Sequence, residues 1–344
     1  MTAQLTLLIP GLLEAVAHLD KHVPRLSALE TLLSRADRSK LDGCSYYQCI
    51  ENLFGQQDKQ SVAPNAAISR LGEGGEQDQR YWLHLDPIYM QADKDRLILR
   101  GNNLLELTKS EVSTLLDELN ELYREDDYRF ESYHPQHWYL GIPNHPECGF
   151  SLLSDVLGRN VESFLPTGKT QTHWRRFMNE IQMQLHASSI NEQRLEEDAY
   201  PVNSVWCWGG GVVSNLSSNW DRVYSDDPLV AGLANLSDAK SYALVENADA
   251  LLQSLSSANH TENAKILVVF SYTEHHILNN TPDFWLQYLQ NLETQWFQPL
   301  LTSLKNRQLS RIDLLTTQGN CYSISRKSLA KWWRRRQPIA NYLN

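Results

Sequence analysis

The chain has 344 residues, long enough to bury a substantial core and to divide into about two domains. Its 31 Lys and Arg against 41 Asp and Glu give a net charge of -10, which excludes an overall grip on nucleic acid by phosphate neutralisation and leaves only a local basic patch open. The five cysteines, Cys44, Cys49, Cys148, Cys207 and Cys321, include no C-x-x-C pair, so neither a zinc ribbon nor a thioredoxin-type centre is expected, only buried free thiols.

Leu5 to Ile9 is an apolar run stopped by Pro10-Gly11, which predicts a buried first strand and a turn. It has no basic segment before it, so a signal peptide is not expected; no apolar run is long enough for a bilayer, and the expected location is the cytoplasm, with no membrane partner. Leu26, Leu29, Leu32 and Leu33 stand at helical spacing, and Ser45 to Phe54 reads as a second helix before Gly55. The polar, glycine-rich stretch Leu71 to Gln79 reads as a linker.

Beyond it, Tyr81 to Leu85 and Arg96 to Leu99 are predicted strands, and Thr108-Lys109-Ser110-Glu111 forms a capping box for a helix through Tyr123. Strands resume over Tyr128 to Tyr133 and Trp138 to Ile142, an order that fits a compact α+β module. Thr170 to His186 predicts a helix with Trp174, Phe177, Met178, Ile181 and Leu185 on one face. Val202 to Trp208 is the next predicted strand, Asp238 to Leu255 a helix, and Ile266 to Ser271 a buried strand. Thr281-Pro282 opens a long helix to about Leu304, and Ile312 to Thr316 and Tyr322 to Ile324 are the last predicted strands. The simplest architecture is an α/β core over residues 1–78 and 201–344, interrupted by an inserted α+β domain over 79–200.

The stretch Asn191 to Gly211 carries the most information. It sets an Asn-x-x-Arg pair, Asn191 and Arg194, before Asn203-Ser-Val-Trp206-Cys-Trp208-Gly209, a strand that ends in three glycines open to close approach. With LTLLIPGLLE, PRLSALETLLSRA, GCSYYQCIENLFG, the segment YWLHLDPIYM to ELY, HWYLGIP and LGRNVESFLPTG, in that order, the chain resembles the archaeal-type cofactor-independent phosphoglycerate mutases of the alkaline phosphatase superfamily. The arrangement also resembles the bacterial RpfE-type regulatory proteins. The resemblance implies an alkaline-phosphatase-like α/β core with an inserted α+β domain, Ser45 as the candidate nucleophile, and Asn191, Arg194, Asn203 and Gly209 as candidate ligand-binding residues, with Arg194 directed to a substrate phosphate. The alternative for Arg194 is an ion pair with Glu196, Glu197 or Asp198. Trp206 and Trp208, two residues apart, read as core aromatics on one strand face.

In that family a dinuclear metal site activates the serine, which needs several carboxylates and imidazoles at one spot. Here Pro10 stands where the first-turn Asp is expected, only Glu274 keeps register in the Asp-Glu-x-x-His block, and LLTTQGNCYSIS holds neither the Asp-His nor the later His. No metal cofactor is therefore expected. The alternative is a rebuilt site for Mn or another divalent ion from Glu14, Glu274 and His275, although adjacent His275 and His276 rarely serve one ion. Gly168-Lys169-Thr170 lacks the earlier glycine of a P-loop, and Gly43-Cys44-Ser45 lacks the closing glycine of a nucleophile elbow. Lys331 to Arg336, KWWRRR, combines cations and aromatics; it fits an arm packed on its own acidic protein, or a grip on an acidic partner. These readings lead to a catalytically silent, mutase-like regulatory protein that binds a phosphorylated small molecule or a protein partner. The alternative is an active mutase or phosphatase with an altered metal site.

Overall fold

A computed structural model describes residues 3–14, 23–40, 45–55, 64–102, 104–213, 216–256, 263–270 and 282–343. The chain separates into two units, one formed by 1–57 with 215–344 and the other by 58–214.

The first unit is built on a seven-stranded sheet. Its strands are β1 (Ala3–Leu8), β2 (Asp37–Lys40), β10 (Arg222–Tyr224), β11 (Lys240–Tyr242), β12 (Lys265–Val269), β13 (Leu309–Leu315) and β14 (Asn320–Ser325), in the spatial order β11-β10-β12-β1-β13-β14-β2. The first five in that order run parallel, and β14 and β2 add on antiparallel. Parallel strands are covered on both faces, which is why Leu5, Leu7 and Leu8 of β1 and Ile266 to Val269 of β12 are all fully buried rather than alternating. One face packs with α1 (Ser27–Arg35), α9 (Ala248–Ser256) and the helices Pro282–Leu292 and Gln298–Lys305 through Leu29, Leu33, Leu251, Leu289 and Leu300. The start of α1 has no cap of its own, since Leu26 offers no side-chain acceptor. The buried carboxylate of Glu293 takes that role, accepting from the backbone N–H groups of Ala28 at 2.7 Å and Leu29 at 3.0 Å. Glu293 opens a π-helical turn, Glu293–Phe297, which divides the single long helix expected from Pro282 to Leu304 into two. The expected cap Thr281 lies outside the described residues.

The second unit is a five-stranded antiparallel sheet centred on β3 (Tyr81–Asp93), with β4 (Arg96–Gly101), β5 (Arg129–His134), β6 (His137–Ile142) and β9 (Ser204–Gly211). β3 pairs with β6 and β9 over its first half and with β4 over its second, so that it runs on through Pro87 well beyond the expected end at Leu85. A two-stranded ribbon joins β7 (Cys148–Gly149) to β8 (Thr167–Gly168), and the short helix α5 (Leu153–Val156) lies between them. Helix α4 (Lys109–Leu122) starts on the expected capping box, with Thr108 and Glu111 bonded reciprocally. Helix α6 (Gln171–Ala187) buries Trp174, Phe177, Met178, Ile181 and Leu185, the face read from the sequence. Helix α7 (Ser189–Glu196) follows it directly.

Three expectations are corrected. Leu71 to Gln79 is not a linker, because α3 (Asn65–Gly72) runs into it and packs on β3 and β9, with Ala66 and Ala67 against Trp82 and Tyr139. The strand after residue 200 belongs to the second unit, since β9 pairs with β3 from Ser204 opposite Ile88 to Gly211 opposite Trp82. The boundaries drawn at 78/79 and 200/201 therefore both fall within the second unit. The helix expected over Asp238 to Leu255 is strand β11 followed by α9, and α8 (Pro228–Leu236) precedes them. Asp227 caps α8 and Pro228 fills its first turn, a start signal that the sequence reading passed over.

Candidate functional site

In open parallel sheets the chemistry collects beyond the carboxyl ends of the strands. At that edge of the first unit β1 runs into Pro10 and Gly11, whose positive φ of 69° suits glycine, and Glu14 follows. From the end of β13 the Thr317 hydroxyl donates to Glu14 Oε1. Burial pushes the Glu14 carboxyl above its ordinary range, against the lowering effect of the Thr317 bond. Helix α2 (Tyr46–Leu53) begins at the same edge: its Cys49 thiol lies 3.8 Å from the carbonyl oxygen of Thr316 and 3.7 Å from that of Thr317. Tyr46 Oη donates to Asp227 Oδ2 at 2.5 Å, while Asp227 Oδ1 accepts from Leu229 N–H at 2.8 Å to cap α8. The Ser225 hydroxyl ties the end of β10 to the Val269 carbonyl at 3.0 Å.

Ser45 is the N-cap of α2, its Oγ accepting from Gln48 N–H at 3.3 Å. No His, Asp or Glu among the described residues hydrogen-bonds that hydroxyl. Among the described residues no three His, Cys, Asp or Glu side chains converge to hold an ion: Pro10 offers no side-chain ligand, and Glu14 and Asp227 are engaged by Thr317, Tyr46 and the start of α8. Glu274, His275 and His276 lie outside the described residues.

The remaining candidates belong to the second unit, where their roles are visible bond by bond. Asn191 is buried; its Nδ2 donates to the carbonyls of Leu185 at 2.7 Å and Val202 at 2.8 Å, and its Oδ1 accepts from Val202 N–H at 2.8 Å. Arg194, only 6% exposed, uses all three guanidinium nitrogens: Nε to the Tyr200 carbonyl at 2.9 Å, Nη1 to Glu111 Oε1 at 2.5 Å, and Nη2 to the Leu105 carbonyl. Its ion-pair partner is thus Glu111, 83 residues away, not the neighbouring Glu196, Glu197 or Asp198. Asn203 pairs both amide atoms with the backbone of Met90 at 2.8 Å each, mimicking one more rung of the β3–β9 ladder. The Asn-x-x-Arg and Asn-x-x-Trp-x-Trp-Gly block therefore clamps α7, the connection after it and β9 onto the start of α4 and the middle of β3.

Gly209 closes this block with φ of +63°, and a Cβ there would stand 3.2 Å from His84 Cδ2 and 3.4 Å from Asn65 Cβ. Gly209→Ala is expected to lower stability by about 1–2 kcal/mol from the left-handed backbone alone, read as a shift in the denaturation midpoint. An unchanged midpoint would show that the backbone relaxes there at no cost.

The same face of the sheet holds a buried polar cluster that the sequence reading did not single out. Its signal was available as His84-x-Asp86 on β3 and His137-x-Tyr139 on β6, pairs that period two places on one side. His84 stacks on Trp208 with centroids 4.1 Å apart, and the Trp208 indole N–H donates to Asp86 Oδ2 at 2.7 Å. Glu73, beyond α3, lies 2.5 Å from His137 Nδ1 and accepts from Tyr139 Oη at 2.7 Å. Both ring nitrogens of His84, Asp86 Oδ1 and Asn65 Oδ1 are buried with no partner among the described residues. Burial, aided by the charge of His137, lowers the His84 pKa to about 3. Burial raises that of Asp86 to about 6, against the His137 charge and the Trp208 bond.

Along 160 residues the chain is 24% identical to a probable 2,3-bisphosphoglycerate-independent phosphoglycerate mutase of Geobacter sulfurreducens, a match over 45% of this chain. A second match, 33% identical over 57 residues, is to a 2,3-bisphosphoglycerate-independent phosphoglycerate mutase of Methanosarcina barkeri. Its sequence relatives are phosphoglycerate mutases. The mutase-like chain spans about two-fifths of the Geobacter protein in that match, 39% of its length, and 14% of the Methanosarcina protein. No family model matches it. In three dimensions it superposes on the Pyrococcus horikoshii protein PH0037 with a TM-score of 0.60 at 12% identity, over 94% of this chain and 87% of that one. The expected fold class, an alkaline-phosphatase-like α/β core with an added α+β unit, is the one found.

Proposed function

We propose that this mutase-like chain does not interconvert phosphoglycerates and acts instead by binding, in a regulatory role of the RpfE type, with a phosphorylated small molecule or a partner protein as its ligand. The observation that carries this reading is the engaged state of the carboxyl edge. The mutase resemblance calls for a ligand at Pro10, which contributes none; Glu14 beyond it is hydrogen-bonded to Thr317, and Asp227 at the same edge is shared between Tyr46 and the α8 cap. A serine acts as a nucleophile when a base or a metal draws off its proton. Ser45 instead uses its oxygen to hold the first turn of α2.

The same reading removes Arg194 from the set of free phosphate donors, because its three nitrogens are committed inside the second unit. A ligand would have to be met by other groups, and the carboxyl edge around Ser45 and Tyr46 is the place where the parallel-sheet rule directs it. Ser45→Ala tests the assignment. It is expected to cost about 1 kcal/mol of stability as a lost N-cap and to leave conversion of 3-phosphoglycerate to 2-phosphoglycerate at the same background as the parent chain. A measurable parent turnover that this substitution abolishes would overturn the proposal.

A further inference from the structure

Beyond Asp313 the sequence carries six Lys and Arg, namely Arg326, Lys327, Lys331, Arg334, Arg335 and Arg336, and no Asp or Glu, in a chain whose net charge is -10. Within that segment Trp332 is 79% exposed and Trp333 63% exposed. Single exposed apolar residues are ordinary, but two adjacent, mostly exposed indoles framed by cations are not.

The rings stand on an anchored turn. Arg334 Nη1 donates to the carbonyls of Arg35 at 3.2 Å and Ala36 at 2.7 Å and pairs with Asp37 at 2.8 Å. Lys331 Nζ pairs with Asp37 at 2.9 Å, and Arg336 lies 3.5 Å from Glu30. Backbone bonds from Arg334 N–H to the Lys331 carbonyl and from Arg335 N–H to that of Trp333 fold the segment tightly. Half of the cations thus fix the turn on α1 and β2, as the reading of KWWRRR as an arm on its own acidic protein expected. Exposed Arg326, Lys327 and Arg335 have no ion-pair partner among the described residues.

We infer that this turn is a docking surface for an anionic lipid surface, on which the indoles enter the headgroup layer while Arg326, Lys327 and Arg335 meet lipid phosphates. Tryptophan settles at that interface because one ring offers both an apolar body and an N–H donor, and cations near an anionic leaflet add to the attraction. A convex pair of rings needs no complementary pocket, which a lipid surface does not offer. A single nucleic-acid strand is a poorer fit, since consecutive bases stack on roughly parallel faces and these two rings are perpendicular, with planes at 83° and centroids 6.1 Å apart. The overall negative charge does not oppose the contact, because screening at physiological salt confines the repulsion to about 8 Å. The mode is peripheral: among the described residues no helix is long and apolar enough to cross a membrane.

The test is co-sedimentation of the full chain with phosphatidylcholine vesicles prepared with and without phosphatidylserine. Binding is expected only when phosphatidylserine is present, weakening as salt rises. Replacing both Trp332 and Trp333 by Ala should lower the partition coefficient at least about tenfold, and Arg335→Ala about fivefold, with melting midpoints unchanged because these side chains are exposed. Any of three results overturns the inference: no binding to phosphatidylserine vesicles, equal binding to neutral ones, or binding that the double Trp variant leaves intact. Retention on polyglutamate or on a single-stranded oligonucleotide without vesicle binding would give the surface to an acidic polypeptide or to nucleic acid instead, and overturn it equally.

Discussion

Replacing Arg194 by Ala is expected to lower the stability of the protein by about 3–5 kcal/mol, the cost of breaking a buried ion pair from one side. The substitution strips Glu111 of its partner and leaves the carbonyls of Leu105 and Tyr200 without their donor, in a place where water has little access. For a unit of this size each kcal/mol moves the melting midpoint by about 2–4 °C, so a drop of about 10 °C is expected. Arg194→Lys keeps the charge but cannot serve three acceptors on different elements, and is expected to recover only part of the loss. A phosphate-binding arginine behaves differently: its removal spares stability and abolishes ligand affinity. An Arg194→Ala chain with an unchanged midpoint would return this residue to the ligand-binding set.

The second large effect is a pH dependence concealed by compensation. The His84 pKa falls from 6.5 to about 3 on folding, so the stability associated with its neutral form is complete above pH 6.5 and is lost as pH falls toward 3. The Asp86 pKa rises from 3.8 to about 6, so its contribution is complete below pH 3.8 and is lost as pH rises through 6. Between about pH 4 and 6 the two slopes, each about 1.4 kcal/mol per pH unit, have opposite signs and cancel. Asp86→Asn keeps an acceptor for the Trp208 indole and removes one slope. Relative to the parent chain, it should lose stability by about 1.4 kcal/mol for each unit the pH falls from 6 to 4. His84→Gln should show the reverse trend. Urea denaturation of the three chains across that range checks the pair, and parallel profiles would mean that neither group titrates differently in the folded state.

Much of the second unit was legible because its signals are local. The capping box at Thr108 and Glu111 involves neighbours three positions apart, and the α6 stripe from Trp174 to Leu185 follows from helical period alone. The membership of β9 was not legible, because alternation identifies a strand but not its partner; Asn203 reaching Met90 across 113 positions is what joins it to β3. For the same reason Arg194 was weighed against acids beside it in sequence, while its true partner Glu111 sits on another helix. The Asp238 to Leu255 stretch misled because β11 has three residues, too short for a period, and the π turn at Glu293 is a local widening that apolar spacing does not register.

At the carboxyl edge of the first unit the sequence singled out Ser45 and Glu14 by their position along the chain. Glu14 and the Thr316-Thr317 pair follow the ends of β1 and β13, strands that the apolar runs had located, and Ser45 opens α2. What they do there depends on mutual contacts over some 300 positions, such as Thr317 on Glu14 and Cys49 beside the Thr316 carbonyl, and no local pattern encodes those. That Pro10 offers no side-chain ligand was legible outright, since its ring carries no donor atom.

The proposal that this mutase-like fold carries no mutase chemistry is tested in one sample by metal content of the purified chain, followed by conversion of 3-phosphoglycerate to 2-phosphoglycerate with Mn²⁺ added. Substoichiometric metal and turnover at background, identical in the parent and Ser45→Ala chains, are expected. Stoichiometric metal with turnover that Ser45→Ala abolishes would contradict it and establish a rebuilt catalytic centre.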